Sequence, residues 1–83
     1  PMDGAVMGLF TADAPAYSTP GQLIEPSLTI QAGKTLYVFG HDASQQYYQV
    51  LLACTFLWVP KDTLGSDPEP LWHNTPLPTT IME

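Results

Sequence analysis

The sequence predicts an all-β fold: a small, partly open barrel of five or six strands, followed by an extended proline-rich segment. Three observations predict it. The stretch from Leu36 to Leu64 holds three short apolar runs rich in aromatic and β-branched residues, separated by two polar or small-residue breaks. No amphipathic helix of useful length is present. From Gly65 the composition changes: residues 65–83 carry Pro68, Pro70, Pro76 and Pro78 and no lysine or arginine.

In chain order, Met2 to Phe10 is apolar with two glycines, which disfavour a helix and suit an irregular first strand through Val6-Met7 and Leu9-Phe10. Asp13 to Gly21 reads as a loop, with two prolines and short polar residues that suit turns. Pro26 biases Glu25 toward extended backbone. Leu28-Thr29-Ile30-Gln31 alternates apolar and polar with the period of a half-buried strand. Ala32-Gly33-Lys34 is a turn, Leu36 to Phe39 a strand ended by Gly40, and His41 to Gln46 a polar loop. Tyr47 to Leu52 is the next strand, Ala53-Cys54-Thr55 a tight connection, and Phe56 to Val59 a further strand. Pro60 cannot donate to a ladder and ends it. Lys61 to Leu64 reads as one helical turn with Leu64 folded onto the core. The domain is therefore expected over 1–64. The 65–83 segment is expected to be extended or polyproline-like, outside the sheet and strapped onto the barrel. Leu71, Trp72, Leu77, Ile81 and Met82 distinguish it from a plain solvated linker.

Charge and composition narrow the function classes. A chain of 83 residues buries only roughly 60% of its unfolded surface, so each apolar face needs a cover. The charged fraction is 12% and the net charge −6, with Lys34 and Lys61 the only cations. Such a surface cannot neutralise a phosphate backbone, which disfavours nucleic acid and anionic membranes. Cationic or neutral partners remain. Cys54 is the single cysteine, so no internal disulfide forms, and its apolar setting reads as a small buried hydrophobe. No apolar run approaches the ~20 residues of a membrane span. No basic start followed by an apolar run marks a signal peptide. The opening Pro1-Met2-Asp3 reads as an excised start, so any leader is expected on a parent protein.

Strand alternation sorts the faces. If Val50 and Val59 point inward, so do Tyr48, Leu52 and Leu57, with Leu36 and Val38 as partners. The outer face then collects Tyr37, Phe39, Tyr47, Leu51, Phe56 and Trp58, more apolar area than a monomer leaves wet. Three covers are available: the tail, carrying Trp72 and Pro76-Leu77-Pro78; a second copy or neighbouring domain; or a foreign peptide. Tyr17, in its loop, is a candidate ligand contact or a packing residue. Trp58 carries the same two readings.

The spacing of Leu28 and Ile30, Ala32-Gly33-Lys34, Leu36 to Phe39, Tyr48-Gln49-Val50, Leu57-Trp58-Val59 and Leu64 resembles the bacterial SH3-like domain. The resemblance covers roughly Leu9 to Leu64. The family's Asn-x-Arg-x-Gly-Pro loop is replaced by Ala14-Pro15-Ala16-Tyr17, and the glycine before its tryptophan by Leu57. The segment Leu71 to Pro78 resembles one that follows such domains in some bacterial lipoproteins. The resemblance implies a non-catalytic module of a secreted or envelope protein that binds cell-wall peptides, other proteins or a neighbouring domain. The alternative is a structural spacer whose aromatic face is covered by its own tail. Self-association through that face is a further outcome.

Catalytic equipment is not evident. His41-Asp42 in a polar loop reads as a turn pair. His41, Asp42 and His73 lack the spacing of a metal site. Ser18, Ser27, Ser44 and Ser66 lack a strand–elbow–helix setting, and no glycine-rich loop opens a helix. Asp67 and Glu69 sit in the proline-rich segment, where solvation explains them better than a paired-carboxylate site. No enzyme activity, cofactor or metal is expected.

Overall fold

The central run folds as three antiparallel strands because its short apolar runs are rich in aromatic and β-branched residues and its breaks fall where the chain must reverse. A computed structural model describes residues 4–83; the Pro1-Met2-Asp3 start, which opens the apolar run before the first strand, lies outside the described residues. Strand makes up 46% and helix 4%, so the class is all-β.

Among the described residues nine strands form two sheets. They are β1 (Val6–Phe10), β2 (Ala14–Pro15), β3 (Tyr17–Thr19), β4 (Gln22–Leu23), β5 (Thr29–Ile30), β6 (Thr35–His41), β7 (Tyr47–Leu52), β8 (Thr55–Pro60) and β9 (Leu64–Ser66), with a 3₁₀ turn at Lys61–Thr63 before the last. The larger sheet has the order β4-β3-β8-β7-β6-β1-β9 and is not closed; β2 and β5 make a separate pair. Both sheets contribute to one core. Phe10, Ala14, Ala16, Ile30, Leu36, Val38, Val50, Leu57, Val59 and Leu64 are buried together.

Several sequence expectations are corrected. The Asp13 to Gly21 loop contains β2 and β3, because Ala14 and Ala16 are small enough to enter the core and Tyr17 pairs with Trp58. The strand expected over Leu28 to Gln31 shortens to Thr29–Ile30, whose partner is the Ala14–Pro15 segment. Leu28 is exposed and lines a shallow cleft of about 250 Å³ with Lys34 and Leu52. Gly40 does not end β6. The register shifts between Val38↔Val50 and Gly40↔Gln49, a bulge that lets the strand continue to His41. The sheet does not stop at Leu64 either. Leu64, Gly65 and Ser66 pair with Phe10, Leu9 and Gly8, so the expected boundary falls inside β9.

Cys54 is exposed, not buried. It sits with Ala53 in the two-residue turn between Leu52 and Thr55, where side chains point away from the core. Ala53 has φ 54°, a conformation disfavoured by its Cβ and usual for glycine at such turns. Ala53→Gly should therefore raise unfolding stability by about 0.5–1 kcal/mol, since released strain of ~1–2 kcal/mol exceeds the added chain entropy. Urea melts would read it; an unchanged or lowered midpoint would show that the turn stores no strain.

Candidate functional site

The register across β6, β7, β8 and β3 builds an outward aromatic face. Val50↔Leu57 and Tyr48↔Val59 lie on the core side, and Val50, Leu57 and Val59 are buried. Between them, Tyr37↔Leu51↔Phe56 and Gln49↔Trp58↔Tyr17 form rows on the opposite side, with Tyr47↔Pro60 beyond. The inward set is the one read from alternation.

Aromatic edges knit the outer rows. The rings of Tyr17 and Tyr47 lie 5.0 Å apart and those of Phe39 and Phe56 5.2 Å apart, both edge to face. Tyr17, Tyr37, Phe39 and Tyr47 are half-buried, and Phe56 is 50% exposed. Phe39 occupies the bulge, and its contact with Phe56 places it on this face. Trp58 belongs to the same side but is only 7% exposed, beside Tyr17 and Gln49, so it offers little surface to a partner. Tyr47 and Tyr48 split as alternation requires. Tyr47 meets Tyr17, while Tyr48 packs on the core and stacks on His41 with centroids 4.2 Å apart. Burial pushes the Tyr48 phenol above its ordinary value.

The 67–83 segment lies against both sides of this sheet. Trp72 meets Tyr37 edge to face at 6.3 Å, and the two frame a cleft of about 350 Å³ with Ala5 and Leu71. Leu71 is 83% exposed. Leu77 packs against the core, its Cδ2 3.4 Å from where a Cβ on Gly8 would sit. Pro76 is exposed and Pro78 half-buried. Residues 67–75 are not extended: Trp72 N and His73 N donate to Glu69 O, Asn74 N to Asp67 O and Thr75 N to Trp72 O. Asp67 is 4% exposed and accepts from Glu69 N, so it is a buried turn-former and not a solvated charge. The radius of gyration, 11.6 Å, is about the ~12 Å of a compact chain this long.

The His41 to Gln46 loop is organised by a buried carboxylate. Asp42, 2% exposed, accepts from the Ser44 hydroxyl and from the amides of Ser44, Gln46 and Tyr47. Burial pushes its carboxyl up, but the hydrogen bonds from Ser44, Tyr47 and Gln46 outweigh burial and hold it below the ordinary carboxylate value. His41 Nδ1 lies 3.2 Å from Tyr47 O, an approach that makes a hydrogen bond in the tautomer with the proton on Nδ1, since a carbonyl only accepts. His41-Asp42 is the turn pair that the sequence suggests, but both residues are buried while residues 43–46 are exposed; the Asp-x-Ser spacing of Asp42 and Ser44 is the one sequence signal for that network. His73 is exposed in the tail turn. Among the described residues no group of three His, Cys, Asp or Glu side chains is placed to hold a metal.

Asp42→Asn removes the charged acceptor and should cost about 2–3 kcal/mol at pH 7, the scale of hydrogen bonds to a charged group. Because the folded carboxyl lies below its unfolded value of 3.8, its contribution is fully present above about pH 4 and fades as pH falls through the lowered value. Denaturant midpoints between pH 7 and 2 should show that acid step in the native chain and a smaller one in Asp42→Asn. Equal steps would contradict it.

Compared with protein-family models, curated proteins and solved structures, the chain matches none.

Proposed function

We propose that this chain is a non-catalytic interaction module, an SH3-like partly open barrel belonging to a larger bacterial secreted or envelope protein. It takes a peptide-like segment, from a protein partner or the cell wall, on its outward aromatic face. The observation that carries the reading is the Tyr17–Tyr47 edge-to-face pair with Phe39 and Phe56 on the same side of the sheet, opposite the packed core. Half-exposed aromatic rings give flat apolar contact at low entropy cost, and proline-rich peptides dock on such grooves having little conformational freedom left to lose. The charge of −6, with only two cations, favours neutral or basic peptides.

Isothermal titration of the full chain with a proline-rich decapeptide and with a peptidoglycan stem peptide tests the proposal. One of them should bind, and Tyr17→Ala or Tyr47→Ala should weaken it about tenfold or more, the loss expected for a buried aromatic anchor. If neither peptide binds, or both variants bind unchanged, the aromatic face is not the ligand site.

The contact of Trp72 with Tyr37 and of Leu77 with the core favours a second reading: an assembly unit whose face is partly covered by its own tail. On that reading Trp72→Ala lowers stability by about 1–2 kcal/mol through lost edge-to-face contact and burial. It also raises binding of a hydrophobic dye. A variant as stable and as dye-silent as the native chain would remove this reading.

A further inference from the structure

The far end of β6 is built to receive a strand. The β1–β6 register begins at Val6↔Val38, and β6 runs three residues further, to His41. His41 pairs with Tyr48 on one edge. On the other edge it meets Ile81 in a parallel bridge. His41 N donates to Thr80 O at 2.7 Å, Met82 N donates to His41 O at 2.8 Å, and Ala43 N donates to the Glu83 side-chain Oε1 at 2.8 Å.

Gly40 makes this approach feasible. A Cβ there would lie 2.2 Å from Thr80 O and 2.7 Å from Met82 Cγ, so any other residue would displace the incoming backbone. The occupant itself is lightly held. Ile81 is 44% exposed and Met82 40%, and residues 75–80 join no sheet. Its attachment is therefore mostly main-chain hydrogen bonding plus one carboxylate, and none of these requires that occupant and acceptor share a chain.

We infer that the Gly40 to Ala43 edge is a strand-addition site for an extended peptide carrying an apolar residue followed by an acidic one, occupied in this structure by Thr80–Glu83. Main-chain bonds to His41 supply affinity and the Ala43 amide reads the carboxylate, while Gly40 selects for close backbone approach. The site is separate from the Tyr17–Tyr47 face and does not depend on it.

The test is an amide-shift titration of the ¹⁵N-labelled full chain carrying Met82→Pro, which removes the tail's donor to His41. The probe is a synthetic peptide of residues 75–83 with Met82 intact. Saturable shifts are expected at Gly40, His41 and Ala43. Peptide carrying Glu83→Gln should bind about tenfold more weakly, the scale of a charge-assisted hydrogen bond. Adding Gly40→Ala to the chain should abolish the shifts. Should Met82→Pro disturb the β6–β7 cross-strand contacts, Glu83→Gln in the chain serves as the host with the same criteria. Absence of shifts at millimolar peptide, shifts confined to the Tyr17–Tyr47 face, or shifts unchanged by Gly40→Ala would each overturn the inference.

Discussion

The pairing register of β7 with β8 governs everything else in this molecule. A slip of β8 by one residue would send Leu57 and Val59 outward and bring Phe56 and Trp58 to the core side, opposite a Val50 that stays in place. With the register set, the inner positions are filled by medium-sized aliphatic residues. Most of the rings on β6, β7 and β8 fall on the other side, where edge-to-face contacts and neighbouring segments shelter them. The aromatic face is thus a consequence of the core's choice of residues.

A sheet of this size leaves openings that a short chain must cover with whatever follows it. The segment after β9 does so on both sides. Trp72 lies on the outer face against Tyr37, while Leu77 reaches the core side near Gly8 and Leu64. Two glycines permit this. A side chain at Gly8 would strike Val38, and one at Gly40 would strike the Thr80 carbonyl. The tail then continues the sheet at His41, where β1 no longer accompanies β6. Covering and strand addition are therefore parts of one path.

The hairpin loop after β6 shows a different constraint. A carboxylate withdrawn from water must be met by donors. Asp42 gathers them from Ser44, Gln46 and Tyr47, which closes the loop tightly enough to hold His41 between Tyr48 and the tail strand. Among the described residues no buried side-chain polar atom is left without a partner. The charge in this loop is engaged in structure.

By itself the sequence determined the β class, the strands from Leu36 to Val59, the turn before Leu64 and the sorting of Val50 against Trp58. Those features arise from period-two patterning and local turn chemistry, which are written in adjacent residues. Tertiary structure decided the rest. The pairing of Ala14–Pro15 with Thr29–Ile30 and the seating of Thr80–Glu83 on His41 and Ala43 depend on partners far away in the chain, with Ala43 and Glu83 standing 40 positions apart. Short segments such as these carry too few residues to show a period. Their conformation is chosen by the hydrogen-bonding edge they happen to reach, and no local pattern encodes that edge.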